Sequence, residues 1–244
     1  MHKSPKKELL ILGKWSEDKL DRILKKASKI KTAARTIDFL SERFIGVNYK
    51  ESTLIGDKNT KEVLVINLNG VDCFTFIDYI EAMRISGSFS EFQENLRRIR
   101  YKSGRVSFKS RNHFFTDWIE SNQEFVSDVT EKIGGRYTVK SQKVLNTKND
   151  GTYFLLGIKP KNRVIKYIPS ERIDSKVIAR LKTGDYVGIY CNEKGLDVSH
   201  VGIIIKAKAK VYLRHASSIK RKMVDEEFKK YMAGKTGIVV LRHK

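Results

Sequence analysis

The sequence predicts an α+β fold, with a helix-rich first half packed against an antiparallel sheet made by the second half. Three observations predict it. Before Gly134 most apolar residues recur at helical spacing. After Gly134 and Gly135 the pattern changes to short alternating runs, the period of half-buried strands. Helices gathered in one part of the chain and strands in the other read as α+β, not as alternating βαβ units.

In chain order, "SEDKLDRILKKASKI" reads as a helix capped by Ser16, and "KTAARTIDFLSERFIG" as a second, with Phe39, Leu40 and Phe44 on one side and Gly46 at its end. "EVLVINLNG" is a strand closed by a turn at Asn69 and Gly70. In "VDCFTFIDYIEAM", Phe76, Ile80 and Met83 fall at i, i+4 and i+7, so a helix starts where the strand stops. Asp72 is its N-cap, and Cys73 lies in its first turn. "SEFQENLRRIRY" is helical, and "NHFFTDWIESNQEF" is an irregular loop running into a helix. The strands of the second half are "YTVKSQKVL", "RVIKYIP", "DYVGIYC", "SHVGIII" and "KVYLRHA". No repeat, low-complexity linker or composition break divides the chain, so a single domain over residues 1–244 is expected, with an N-terminal helical segment over 1–35.

Composition bounds the function classes. The chain of 244 residues has 49 Lys plus Arg against 28 Asp plus Glu, a formal charge of +21. Such a field attracts polyanions: nucleic acid, anionic lipid or acidic wall polymer. The basic clusters "LKKASKIKTAAR", "KPKNRVIK" and "IKRK" carry no aromatics at nucleic-acid-binding spacing, and a solvated surface explains them equally well. There is no apolar run long enough to span a membrane. The N-terminal "LLILG" is too short for a secretion signal, although a leader could have preceded this Met. Two cysteines are too few for a disulfide scaffold, so both Cys73 and Cys191 are expected to be unpaired. Cys191, alternating with Ile189, reads as buried and inert.

Cys73 is the candidate nucleophile. Free N–H groups and the positive end of the helix dipole at the first turn favour thiolate over thiol; the alternative is a small buried hydrophobe. Partners come from the second half. Taking "SHVGIIIKAKAKVYLRHASS" as a hairpin turning at Ala207 and Lys208, Lys206 faces Ala209 and His200 faces His215. His200, Gly202, Ile204, Val211, Leu213 and His215 then share one face, and Gly202 leaves room for the Cys73 helix. Cysteine, histidine and a polar orienter are the set for acyl transfer through a thioester, with the Cys73 N–H available to the oxyanion. The same three residues could instead ligate zinc with water or Asp197, at a spacing that matches no zinc motif. In "SRNHFFTDWI", Arg111, Asn112 and His113 offer donors to a sugar or a peptide carboxylate, while Phe114, Phe115 and Trp118 read as core.

The order Asp-Cys at a helix start, a later "GD" strand, "HVGI" and "HAS" resembles the NlpC-type, papain-like cysteine peptidases and amidases of bacterial peptidoglycan. "FIGVNY", "LNGVDCFTFIDYIEA", "RIRY", "SRNHFFTDWI", "TGDYVGIY", "GLDVSHVGI" and "LRHASS" resemble more narrowly its AmiA-like amidase branch, from about Thr36 to Ser218. The resemblance implies a papain-like NlpC-type fold, with Cys73 as nucleophile, His200 as base and His215 as the third polar residue. Tyr49 matches the tyrosine of the "GxPY" element, with Val47 and Asn48 in place of the small-Pro pair, and Asp72 joins it as a substrate contact. Phe74 stands where the wider superfamily has Ser. The implied reaction cleaves between the lactyl group of N-acetylmuramic acid and L-alanine, particularly on anhydro-muropeptide ends. It needs no cofactor, takes muropeptides and not nucleic acid as partners, and belongs in the periplasm or cell envelope, with a cytoplasmic home as the alternative. A wall endopeptidase of the same superfamily, a wall-binding module and a nucleic-acid-binding protein remain as other readings.

Overall fold

A computed structural model describes residues 8–208 and 210–244. In order, its elements are β1 (Glu8–Ile11), α1 (Glu17–Ala27), α2 (Ala33–Glu42), β2 (Asn48–Tyr49), β3 (Leu64–Asn67), β4 (Gly70–Val71), α3 (Cys73–Arg84), α4 (Phe89–Arg100), α5 (Phe115–Ser121) and β5 (Val126–Asp128). They continue as α6 (Thr130–Gly134), β6 (Val139–Leu145), β7 (Lys161–Pro169), α7 (Ser175–Arg180), β8 (Tyr186–Tyr190), β9 (Val198–Ala207), β10 (Lys210–Ser217), β11 (Lys222–Glu227), α8 (Phe228–Met232) and β12 (Gly237–His243).

Caps start the helices where the sequence places them. Ser16 accepts from the Lys19 N–H and Ser88 from that of Glu91. Asp72 accepts from the Phe74 and Thr75 N–H groups, and Thr75 answers from its hydroxyl to close a capping box. The helix it opens, α3, is central. Its residues Thr75 to Met83 are all buried, so its amphipathic pattern is weak and its neighbours surround it. Phe76, Ile77 and Ile80 share one core with Leu20 and Leu24 of α1, Ile37 and Leu40 of α2, and Phe92 and Leu96 of α4. Two carboxylates inside this core are matched: Asp78 takes Arg100 Nε at 2.8 Å and Trp118 Nε1 at 3.0 Å, and Glu81 takes the Tyr186 hydroxyl at 2.7 Å. Buried ions of this kind fix a helix in one register, because displacing either partner strands a charge.

The main sheet runs β4-β2-β11-β10-β9-β8-β12-β7-β6, with β5 on β12. The α3 core covers the face carrying Val201, Ile203 and Ile205. The opposite face carries Val187, Ile204, Leu213 and Val240 and is covered by Ile133 of α6, Val177 of α7, and Phe228 and Met232 of α8.

Four expectations need correction. The sheet is mixed, not wholly antiparallel, because β2 and β4 pair in parallel. The "EVLVINLNG" strand, β3, stays outside it and pairs in parallel with β1, so the N-terminal "LLILG" is a strand and residues 1–35 are not all helical. The space beside Gly202 is filled by Leu213, whose Cδ1 would lie 2.8 Å from a Cβ built there, and α3 packs on the opposite face against the larger Val201 and Ile203. Finally, the hairpin turns one residue later than expected. Ala207 pairs with Lys210 and Ile204 with Leu213, with Lys208 at φ +53° in the turn; Ala209 itself, like residues 1–7, lies outside the described residues. The shift moves the pairing by two residues and so preserves parity. His200 and His215 therefore keep a common face as diagonal neighbours, and the continued register sets His215 opposite Gly202.

Candidate active site

The approach to Cys73 is built by short strands. β4 leads directly into α3, and β2 lies beside it with Tyr49 opposite Val71, two residues before the cysteine. Gly70 permits that approach, since a Cβ there would meet the Lys50 Cβ at 2.8 Å. The phenol of Tyr49 is pushed up by partial burial and by the nearby Glu51, Cys73 and Asp72.

β9 runs on past its pairing with β10. In β9, Ile204 bonds both ways toward the β8 side, to Gly184 and Asp185, so Val201, Ile203 and Ile205 aim their backbone groups at β10. The β9–β10 ladder ends at Ile203 and Arg214. Beyond that end the backbone N–H of Val201 acts to lower the Cys73 thiol. Cys73 is the first residue of α3, and Val201 of β9 packs in the same core as that helix.

His200 Nε2 lies 2.8 Å from His215 Nδ1, with the rings nearly perpendicular, and His215 Nε2 lies 3.2 Å from Glu226 Oε1. Glu226 Oε2 is 3.4 Å from Lys220 Nζ. Tyr231 of α8 covers both imidazoles, its ring centroid 4.8 Å from that of His215 and 6.1 Å from that of His200. The Tyr231 phenol is pushed up by burial and then by Cys73 and Glu226. Glu226 and Tyr231 are absent from the residues the sequence nominates. A third strand read from "KMVDEEF" would have put Glu226 on the histidine face, because β11 pairs Val224 with His215 and Glu226 with Leu213.

The electrostatics overturn one expectation. Burial first, then the Asp72 charge, pushes the Cys73 thiol up to about 12; N–H donation from Val201, Cys73 and Phe74 opposes this and loses. The helix N-terminus therefore does not deliver a thiolate in the unliganded protein. Burial, the neighbouring His215 and Lys235 push His200 down to about 3. Thiol and imidazole are both neutral near pH 7.

These shifts predict an acid-sensitive fold. Unfolded imidazoles bind protons near 6.5, whereas His200 waits until about 3 and the buried His113 until about 4. In that window the unfolded chain holds more protons, so stability is complete above about 6.5 and is lost as pH falls toward 3. Thermal melts from pH 7.5 to 4 should show a falling Tm, with a shallower fall in His113→Gln. A Tm that is flat or rises on acidification contradicts the assignment.

The other nominated residues divide. A cavity of about 560 Å³ beside Asp72 is also lined by Arg111, His113, Phe108 and Leu155. Arg111 Nη2 is held by the Gly56 carbonyl at 2.7 Å and Glu62 at 2.8 Å, and His113 Nε2 by the Phe108 carbonyl at 2.7 Å. Asn112 is not brought to that cavity: it is buried, its amide donates to the Ile99 carbonyl at 3.0 Å and accepts from Ser121 at 2.8 Å, and it holds the loop together. Phe114, Phe115 and Trp118 are core, as read. Cys191 lies just past β8, free but only half-buried. The zinc arrangement lacks donors, since both ring nitrogens of His215 face protein partners and Asp197 is engaged by Thr116 and Val198. Among the described residues no group of three or more His, Cys, Asp or Glu could hold a metal, and no helix is long and apolar enough to cross a membrane.

The model of the AmiA-like, N-acetylmuramoyl-L-alanine amidase-like family matches residues 39–238. The chain belongs to that family. An N-acetylmuramoyl-L-alanine amidase from Bacteroides uniformis is a similar solved structure, with 29% identity, a TM-score of 0.74, and coverage of 87% of this chain and 99% of that one. A protein from Legionella pneumophila shares the fold at 21% identity, with a TM-score of 0.79 over 93% of this chain and 94% of that one. A search of the curated proteins found no match. For an AmiA-like chain the mixed α/β architecture is thus the expected one, and amide hydrolysis in peptidoglycan is the activity its family suggests.

Proposed function

We propose that this chain is a cysteine-dependent N-acetylmuramoyl-L-alanine amidase of the papain-like, NlpC-type kind, a single catalytic domain acting on muropeptides, anhydro-muropeptide ends in particular. The observation that carries the reading is the pair of imidazoles, with His215 Nδ1 2.8 Å from His200 Nε2, on a sheet whose Val201, next to His200, shares a core with the helix that Cys73 begins. His200 takes the thiol proton as sulfur attacks the lactyl carbonyl, and the Cys73 N–H faces the developing oxyanion. His200 then returns the proton to the departing nitrogen of L-alanine, the C–N bond breaks, and a thioester remains. Water, deprotonated by His200, releases the muramoyl carboxylate and restores the thiol.

The cavity beside Asp72 is the binding cleft of this reading. Asp72 caps α3 through Oδ1, leaving Oδ2 without a protein partner among the described residues, Arg111 and His113 help to form the wall, and Tyr49 on β2 is the further substrate contact of this reading, outside the cavity's lining. A second cavity of about 630 Å³ shares Asp57, Lys58 and Phe108 with the first and adds Lys61, Arg105 and Lys109 along with Glu62, which is paired with Arg111, so its rim is net basic and suited to acidic stem-peptide groups. The periplasm or cell envelope is the corresponding compartment.

Mass spectrometry of a digested anhydro-disaccharide tetrapeptide tests the reading. The expected products are the intact disaccharide with a free lactyl carboxylate and the tetrapeptide with a free N-terminal alanine. Cleavage inside the peptide would make the chain an endopeptidase, and an unchanged substrate would leave it a binding module.

A further inference from the structure

The two imidazoles pose a problem of direction. A hydrogen bond from His200 Nε2 to His215 Nδ1 can carry its proton on either nitrogen, and the distance of 2.8 Å is the same for both. Only one arrangement leaves His200 with a basic Nδ1. In the other, Nε2 accepts from His215, Nδ1 bears the proton, and His200 has no lone pair for the thiol. Something outside the pair must choose.

We propose that Glu226 is the positioning residue that makes this choice, setting the protons of both rings from the end remote from Cys73. The inference rests on the reading of His200 as the base. A carboxylate only accepts, so at 3.2 Å it requires a proton on His215 Nε2. Neutral His215 then has its lone pair on Nδ1 and can only accept from His200 Nε2–H. His200 is left with its lone pair on Nδ1. The order of protons from Glu226 to His200 is thus forced link by link, as a second-layer carboxylate forces a metal-bound or triad histidine. The carboxylate is itself held: Lys220 Nζ lies 3.4 Å from its other oxygen, and β11 pairing places Glu226 diagonal to His215. Tyr231 packs against both rings.

Glu226 also matters when the charge changes. Once the thiol proton reaches His200 Nδ1, the imidazolium still donates from Nε2 to His215, and no further proton moves. The groups facing this charge are His215 and Glu226 from the sheet, Lys220 and Asp225 beside them, and Lys235 and Tyr231 from the α8 side. Among the nearer ones Glu226 is the carboxylate bonded to the histidine pair, and it opposes Lys235 and Lys220.

The test is a long-range proton–nitrogen correlation spectrum of ¹⁵N-histidine-labelled protein at pH 7.5, in wild type and Glu226→Gln. Nitrogen shifts distinguish the two tautomers without any need for turnover, so the result stands even if the amidase reading fails. In wild type both His200 and His215 should be Nε2–H tautomers. Glu226→Gln, whose amide can accept or donate, should give both rings a mixed population. Muropeptide kcat should fall at least about tenfold with KM little changed, and the pH profile of Cys73 alkylation should move, while Glu227→Gln on the neighbouring residue leaves the spectrum as in wild type. An Nδ1–H tautomer at either ring in wild type, or a Glu226→Gln spectrum and alkylation profile identical to wild type, overturns the proposal.

Discussion

Cys73→Ala should lose all measurable muropeptide hydrolysis, a fall on the order of 10⁴-fold or more, while the protein keeps its fold. Nothing else in the described site replaces sulfur: Tyr49 and Tyr231 are both pushed above their ordinary range, and His200 has the task of base. The packing cost is small, because the side chain is short and contributes nothing to the capping box that Asp72 and Thr75 form around it. Cys73→Ser should be nearly as inactive, since a hydroxyl holds its proton more firmly than a thiol and the buried imidazole is a weak base. Circular dichroism melts beside steady-state kinetics make the comparison. Hydrolysis by Cys73→Ala at near wild-type rate would remove the thiol from the mechanism.

His200→Ala should be almost as severe, and the histidines should rank. In the proposed mechanism His200 exchanges protons with sulfur and with the leaving amine, so its removal takes away both the base and the acid. His215 meets His200 Nε2 at 2.8 Å and touches no reacting atom. His215→Asn and His215→Gln, which can still accept a hydrogen bond, should therefore retain more turnover than His215→Ala, although loss of an orienter can itself cost on the order of 10⁴. His215 is nearly inaccessible, so each variant's Tm belongs beside its rate. Equal activity of His215→Ala and wild type would break the pairing of the two rings.

The residues that came together were legible for a simple reason. Asp72 followed by Cys73 is a local cap signal, and parity along a strand survives an error of two in register, so His200 and His215 share a face under either turn. What failed was what alternation cannot encode. A turn's position at Ala207–Lys210 depends on which residue takes positive φ, and Lys208 carries no glycine-like mark. The face chosen by α3 depends on the bulk of Val201 and Ile203 against the Leu213 side chain lying over Gly202. β12 was missed because "GIVVL" is buried on both sides between β7 and β8 and so shows no alternation. The neutral state of Cys73 was hidden as well: the helix end is visible in sequence, but the depth of burial that outweighs it is a property of the assembled core. Asn112 shows the same limit from the other side, for an amide looks like a ligand donor until Ile99 and Ser121 are seen to occupy it.

The most direct measurement is to trap the covalent intermediate. The protein would be mixed with an anhydro-disaccharide tetrapeptide, quenched in acid within the first turnover, and weighed intact and after proteolysis. The account predicts a mass increase equal to the disaccharide with its free lactyl carboxylic acid, less water, on the peptide containing Cys73, with the tetrapeptide released in the same burst. An adduct carrying amino acids in place of the sugar, an adduct on another residue, or product formed in a burst with no adduct on Cys73 would contradict it.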